Sequence, residues 1–431
     1  MKIAYHTLGC KVNQYDTQAV RELLERNGHP TVAFQEQADV YIINTCTVTH
    51  ISDRKSRQLI TRARRQSPNA FIVVMGCYAQ RKPDEVAGLP GVDLVMGTKD
   101  RGEILRYIQN LSQTGRTLDS VKAFSAGRTS FEELPAVSGE HTRAYLKIQD
   151  GCDMYCTYCI IPYARGPVRS REPVNIRRQM EELERRGYRE IVLTGIHLMS
   201  YGKDLGNRTL LDAIAQAEGL DGICRIRLGS LEPNMLTDEI ISELAGNDKI
   251  CRQFHLSLQS GCDEVLKRMN RRYTTGEYAA AVKKLREAMP SCAITTDIIA
   301  GFPGETEEAF EETLAFARDM AFSRIHAFPY SKREGTKAAV MPNQIRSDIK
   351  EARVRRLLDL AREMEERYAG GLIGTIQPVL FEEMEEGRLK GYTDTYVMTR
   401  VDGVRSELGH VFPVRMTGMK NGELIGERLP S

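Results

Sequence analysis

Three cysteines, Cys152, Cys156 and Cys159, fall within eight residues in DGCDMYCTYCIIPYARG (150–166), spaced C-x3-C-x2-C. Three thiolates on one tight loop cannot complete a tetrahedral zinc site. They can hold three irons of a [4Fe–4S] cluster and leave the fourth iron open to a reactant. A zinc knuckle completed by a distant residue such as His197 is the alternative left open. The loop directly follows AYLKIQ (144–149), which reads as a strand, and the C-terminal end of a barrel strand is where reactive groups belong.

A second set is less obvious. Cys10, Cys46 and Cys77 each end an apolar run, HTLGC, INTC and VMGC. If those runs are parallel strands of one sheet, their C-terminal ends share an edge, and open α/β sheets bind ligands there. The three thiols then converge and can also hold a [4Fe–4S] cluster with one open iron. The competing reading is buried cysteine acting as a small hydrophobe. Cys224, Cys251, Cys262 and Cys292 share no such position and read as structural.

The chain that must position these thiols has 431 residues, 41% apolar and 27% charged, with a net charge of +2. That length suggests about three domains. A nearly neutral chain carries any nucleic-acid surface as a local patch. The N-terminus has no apolar signal core, and no run of about 18 apolar residues is present, so no membrane partner and a cytoplasmic location are expected. In that reducing compartment clustered cysteines suggest metal or redox chemistry.

Residues 1–112 alternate as βα units. Strands are expected at 2–8, 40–45, 71–76 and 92–97, with helices at 17–28, 53–66 and 100–111, making a doubly wound parallel sheet. Residues 113–141 read as a linker. Residues 142–367 carry six strand patterns, at 144–149, 190–195, 225–230, 254–259, 293–302 and 325–330, the makings of a partial (βα)6 barrel, followed by a charged helix at 348–368. Residues 368–431 read as a small all-β barrel.

The C-x3-C-x2-C motif with Tyr158 before its last cysteine resembles the radical S-adenosylmethionine superfamily. Further segments agree in barrel order. TGIHLMSYG (194–202) would contribute Gly195 near the methionine amine. LGSLEP (228–233) would place Ser230 and Glu232 by the ribose or methionine, and DIIAGFPGET (297–306) would set Gly301 beside adenine. The three-domain order, with two cysteine trios and a terminal β module like the TRAM domain, resembles the methylthiotransferases over essentially the whole chain.

That resemblance implies two [4Fe–4S] clusters, held by Cys10, Cys46 and Cys77 and by Cys152, Cys156 and Cys159, and S-adenosylmethionine used twice. One molecule gives a methyl group to sulfur on the N-terminal cluster; the other yields the radical that activates a C–H bond. It also implies a reductant such as flavodoxin or ferredoxin and leaves the sulfur donor open. GCKVNQYDTQ is most similar to the branch acting on N6-threonylcarbamoyladenosine beside the tRNA anticodon. Isopentenyladenosine tRNA, a ribosomal-protein aspartate and a non-catalytic iron–sulfur RNA-binding protein are the alternatives. The homologous eukaryotic type would add a C-terminal membrane anchor, so a bacterial-type protein is expected.

For the tRNA anticodon stem-loop the residues offer a basic run at 53–66, where Arg54, Arg57, Arg62, Arg64 and Arg65 could meet phosphates, or could form a solvated helix face. Arg165, Arg169 and Arg171 follow the cysteine loop and could neutralise phosphate or pair with nearby acids.

Overall fold

The computed structural model describes residues 1–114, 130–135, 142–206 and 208–429. The first part is a parallel sheet of β1 (Ile3–Thr7), β2 (Thr31–Val32), β3 (Val40–Thr45), β4 (Phe71–Gly76) and β5 (Leu94–Val95), in the order β2-β1-β3-β4-β5. Side chains along β3 alternate between two cores. Val40 and Ile42 join Val20, Leu24, Ile104 and Ile108, from α1 (Lys11–Arg26) and α5 (Ile104–Thr114). Tyr41 and Ile43 join Ile60 and Ala63 of α2 (His50–Gln66) on the other face. This period-2 alternation under helices on both faces makes the sheet doubly wound. Two short helices, α3 (Cys77–Arg81) and α4 (Pro83–Ala87), follow β4.

The second part is an open barrel. Its strands β6 (Arg143–Lys147), β9 (Glu190–Thr194) and β10 (Arg225–Leu228) pair in parallel. So do β11 (Ser230–Leu231), β12 (Gln253–Leu256), β13 (Ala293–Ala300) and β14 (Arg324–Pro329). β10 and β11 are one expected strand interrupted at Gly229, which makes six staves. A two-stranded brace, β7 (Gln149–Asp150) with β8 (Arg169–Ser170), ties off the segment between the first stave and α7 (Pro173–Arg185), and that segment contains α6 (Ile161–Arg165). The remaining barrel helices are α8 (Leu210–Ile214), α9 (Asp238–Gly246), α10 (Asp263–Arg268), α11 (Thr275–Ala288) and α12 (Glu307–Met320). A long α13 (Ser347–Gly370) covers the edge strand β14, adding Leu357, Leu360 and Met364 to the barrel core.

The third part is a closed barrel of β15 (Ile376–Glu385), β16 (Arg388–Thr393), β17 (Met398–Asp402), β18 (Val411–Lys420) and β19 (Glu423–Arg428) around Val379, Phe381, Leu389, Val401 and Val414. It stoppers the N-terminal rim of the open barrel. Tyr392 and Tyr396 stack at 4.7 Å, and Arg143, at the start of β6, lies 5.0 Å from each ring. Arg225 donates to the Pro378 carbonyl at 2.6 Å and Arg227 to that of Asp394 at 2.8 Å.

Several boundaries differ from the sequence reading. α1 starts at Lys11, six residues early, because Val12, Tyr15, Ala19 and Val20 already continue its buried stripe. β5 is shorter than 92–97, and β2 is an addition to the expected strands. The linker assigned to 113–141 lies largely outside the described residues.

The sheet domain meets the open barrel through buried charges. Lys147 Nζ lies 2.9 Å from Asp16 Oδ1 and 2.6 Å from Asp150 Oδ2. Arg165 reaches both acids, and Arg101 pairs with Asp16. Burial alone would raise the Asp16 carboxyl, but Arg101, Lys147 and Arg165 outweigh it and hold it below its usual range. A depressed carboxylate stabilises the fold above its unfolded pKa and ceases to do so as pH falls through the folded value. Docking of the two parts is therefore expected to weaken below about pH 4, where an unfolded aspartate titrates. Asp16→Asn should cost about 3–5 kcal/mol at neutral pH, because it strands buried cations. It should also flatten the acid limb of a urea-denaturation series against pH.

Candidate active site

The first cysteine trio sits on the carboxyl edge of the sheet. Cys10 is the N-cap of α1, Cys46 follows β3 directly, and Cys77 opens α3 directly after β4. β1, β3 and β4 are neighbours, so the three positions line one edge, and Cys10 and Cys46 flank the β1/β3 point where strand order reverses, the binding crevice of such sheets. Gly9 lets the first loop come close: its φ is +104°, and a Cβ there would stand 2.8 Å from Cys46 Cβ and 3.0 Å from its Sγ. Asn13 braces the loops by donating to the carbonyls of Leu8 at 2.8 Å and Thr45 at 3.1 Å. Burial pushes the Cys77 thiol up to about 12, Arg165 opposes this, and Cys46 and Cys10 add to it. Burial likewise raises Cys46, and Cys10 adds to that shift. Such thiols ionise when a bound metal supplies positive charge, so this donor set fits an iron–sulfur cluster. Gly9→Ala combines left-handed strain with a clash against Cys46. It should lower iron bound per chain after anaerobic reconstitution, by up to about half, with thermal stability reduced by ~1–3 kcal/mol.

The second trio occupies the loop between β7 and α6. Gly151 has φ +73° and a Cβ there would meet the Pro167 carbonyl at 1.8 Å, so only glycine lets the loop start. The loop is pinned by Cys152 N donating to Gly166 O at 3.0 Å, and by Thr157 N and Oγ1 donating to the carbonyls of Met269 (2.9 Å) and Arg268 (2.8 Å). Cys152, Met154 and Cys156 form a buried group joined by Tyr158, Cys159, Ile161 and Ile196. Burial pushes the Cys152 and Cys159 thiols up to about 11 and about 12, and Cys156 adds to both. Arg271 donates to Cys156 Sγ at 3.3 Å.

Among the described residues no three His, Cys, Asp or Glu side chains converge on a single ion. His197, the alternative zinc ligand, instead meets Ser200 at 2.7 Å and Glu232 at 3.6 Å.

The remaining expected cofactor contacts are placed unevenly. Tyr158 packs beside Phe302 and Tyr330 and faces Arg271 and the cysteines. Glu232, 3% exposed, accepts from Arg271 Nη2 at 2.7 and 2.8 Å. Burial alone would raise its carboxyl, but His197 and Arg271 outweigh burial and hold it low. Ser230 is exposed at the start of β11. Gly195 makes room for Gln149, whose Oε1 would lie 2.8 Å from a Cβ there. The space over Gly301, at φ +74°, is taken by Lys350, 2.2 Å from where a Cβ would be. Gly301 is therefore a packing glycine on that side. Arg271, which ties Cys156 to Glu232, is absent from the sequence reading; nothing in MNRRY marks it. Arg165, open in sequence to phosphate or to local acids, turns to Asp150, Asp16 and the first trio.

Two arginines assigned to phosphate are corrected. Arg64 donates to the carbonyls of Pro68, Ala70 and Gly91 and pairs with Asp93 at 2.6 Å, because the end of α2 must be fastened to the loops beside it. Arg169 is 5% exposed, donates to Arg165 O at 2.8 Å and pairs with Asp150 at 3.5 Å. Arg57 is shared with Glu85 and Tyr78. Arg54, Arg62 and Arg65 remain exposed on one face of α2 and line, with Arg57, a shallow groove of about 480 Å³.

With this geometry in place, comparison with known proteins gives matching domains. A profile described as the Radical SAM superfamily matches residues 146–317, and one described as Uncharacterized protein family UPF0004 matches residues 2–97. The threonylcarbamoyladenosine tRNA methylthiotransferase MtaB of Bacillus subtilis (strain 168) is 44% identical over 422 residues, 96% of this chain and 93% of that protein. The chain belongs to the radical S-adenosylmethionine methylthiotransferase family. Among other relatives in the family, a tRNA-2-methylthio-N(6)-dimethylallyladenosine synthase of Clostridium novyi (strain NT) is 35% identical, over 98% of this chain and 95% of that one. The solved radical S-adenosylmethionine methyltransferase TsrM from Kitasatospora setae shares the fold, with TM-score 0.57 and 16% identity over 79% of this chain and 77% of that chain. As a member of this methylthiotransferase family the chain is a sulfur-transferring enzyme that uses a [4Fe–4S] cluster and S-adenosylmethionine. Its closed β-barrel is consistent with a TRAM-like module. No described helix is long and apolar enough to cross a membrane.

Proposed function

We propose that the chain converts N6-threonylcarbamoyladenosine beside the tRNA anticodon to its 2-methylthio derivative, with two [4Fe–4S] clusters. Cys152, Cys156 and Cys159 would hold one and Cys10, Cys46 and Cys77 the other. The supporting observation is that the first thiol trio stands at the carboxyl edge of parallel strands and the second on the loop beyond the first barrel stave β6 and its short extension β7, and that one residue, Arg165 of α6, faces the first trio from the helix that ends the second trio's loop. The threonylcarbamoyl substrate follows the relative at 44% identity over the dimethylallyl one at 35%.

Cys152, Cys156 and Cys159 would hold a cluster that, with S-adenosylmethionine, would supply radical chemistry for activating the base C–H bond. The chain's own residues do the rest. Arg271 holds Glu232 ionised and donates to Cys156, which offsets negative charge on the thiolates. The buried ion cluster fixes the distance between the trios, since Asp16 belongs to one part and Asp150 to the other. The exposed arginines of α2 and the TRAM-like barrel would carry the anticodon stem-loop, whose unpaired bases can be splayed out. A low-potential reductant such as flavodoxin or ferredoxin is required, and a cytoplasmic location suits both partners.

Nucleoside mass spectrometry of tRNA with and without the gene tests this reading. Loss of 2-methylthio-N6-threonylcarbamoyladenosine alone supports it. Loss of the methylthio group from isopentenyladenosine, or from ribosomal protein with tRNA unchanged, overturns the substrate.

A further inference from the structure

A cavity of about 110 Å³ lies at the junction of the sheet domain and the open barrel. Its walls come from the cysteine-bearing segments themselves: Thr47 follows Cys46, Arg81 ends the helix that Cys77 opens, and Ile160 follows Cys159. The fourth wall is Arg333, from the loop after β14. Arg333 is 6% exposed; its Nη2 donates to Thr47 Oγ1 at 2.6 Å and to Asp53 Oδ2 at 2.7 Å. Among the described residues its Nε and Nη1 are buried with no acceptor, as is Asp53 Oδ1 with no donor. Buried guanidinium N–H groups are costly to keep unless an acceptor completes them.

The charges around the cavity leave a cationic remainder. Arg57 and Lys82 share Glu85, Lys82 also meets Glu334, and Arg333 meets Asp53. Arg81 has no carboxylate partner among the described residues; it lies 5.9 Å from the centre of the Tyr163 ring. Tyr163 is 42% exposed and stands edge-on to Tyr155, 48% exposed, at 5.9 Å. Guanidinium groups recognise phosphate, and exposed aromatic faces take bases. Both occur here, joined through Arg81, at the meeting point of the two thiol trios.

We propose that this junction cavity takes a backbone phosphate of the substrate RNA, next to the nucleotide presented to the cysteines, with Tyr163 stacking on an adjoining base. The inference rests on the RNA-modifying function proposed above. Arg333 and Arg81 hold the phosphate, so the cavity sets which nucleotide of a splayed loop reaches the chemistry, and the α2 face holds the stem.

The test is binding of a fluorescently labelled anticodon stem-loop RNA to the cluster-loaded enzyme, titrated across salt concentrations. Arg81→Gln, a partly exposed change that spares the core, should weaken binding about tenfold and reduce the salt slope by about one. Tyr163→Leu should weaken binding about tenfold with the slope unchanged. Arg333→Gln combined with Asp53→Asn removes both buried charges together, and should match Arg81→Gln. If these variants keep wild-type affinity and slope while Arg54→Gln on the open face of α2 lowers them, the RNA reading stands and the cavity assignment falls. If the wild-type enzyme does not bind the stem-loop, the RNA function fails and takes this inference with it. Inorganic phosphate that raises the melting temperature of wild type and not of Arg81→Gln, with coincident RNA titrations, assigns the cavity to a free anion and overturns the RNA assignment.

Discussion

Cys46→Ala is expected to separate two outputs of the enzyme. Methylthio nucleoside should fall by at least about a thousandfold, equivalent to ~4 kcal/mol of barrier, while 5′-deoxyadenosine still forms from S-adenosylmethionine under a strong reductant. The reason is position: Cys46 follows β3 on the sheet edge and belongs to a different trio from the C-x3-C-x2-C loop. Bound iron should drop by roughly half, since one three-thiolate site of two is lost. Iron assay and product chromatography on one reconstituted sample check both parts. Full methylthio transfer by Cys46→Ala would mean that the sheet-edge trio is structural.

Cys152→Ala should be the complementary loss. Here 5′-deoxyadenosine itself should fall by at least about a thousandfold, and methylthio transfer with it, while roughly half the iron remains on the other trio. Cys152 is pinned by its N–H to Gly166 O at 3.0 Å, so alanine keeps the loop path and removes only the sulfur. Comparing the two variants side by side distinguishes a damaged fold from a missing ligand. A folding defect would lower both outputs and all the iron in each.

The cysteines are legible in the sequence because their positions follow from topology. Strand-end placement at Cys10, Cys46 and Cys77 needs only a parallel sheet in which β1, β3 and β4 are neighbours, and the observed strand order provides it. The six-stave barrel and terminal β-barrel are legible for a similar reason: period-2 and continuous apolar runs survive in the chain as text. Arginine roles do not. Arg64 reads as a phosphate contact or a solvated face, and Arg169 stays open between phosphate and local acids, because charge in a sequence carries no direction; only the folded loops aim them at Asp93 and Asp150. Arg271 is invisible because its partners, Glu232 and Cys156, are 39 and 115 residues away. DIIAGFPGET sets Gly301 at the end of β13 as a candidate neighbour of adenine, and sequence gives no sign that Lys350 of a distant helix fills the side where its Cβ would stand.

The clasp between the two barrels turns the molecule into a ruler. Arg143, Glu190 and Arg225, the first residues of β6, β9 and β10, anchor or support the small barrel at one rim, and the cysteine loop leaves from the other. A five-residue stave such as β9 is about 13 Å from first to last residue. An RNA gripped by the small barrel and modified at the cysteines has to reach across at least that height. If the small barrel shares the grip proposed above, this span and the junction cavity would together limit which base reaches the cysteines. Lengthening the stem-loop by a base pair should then shift the modified position or abolish modification.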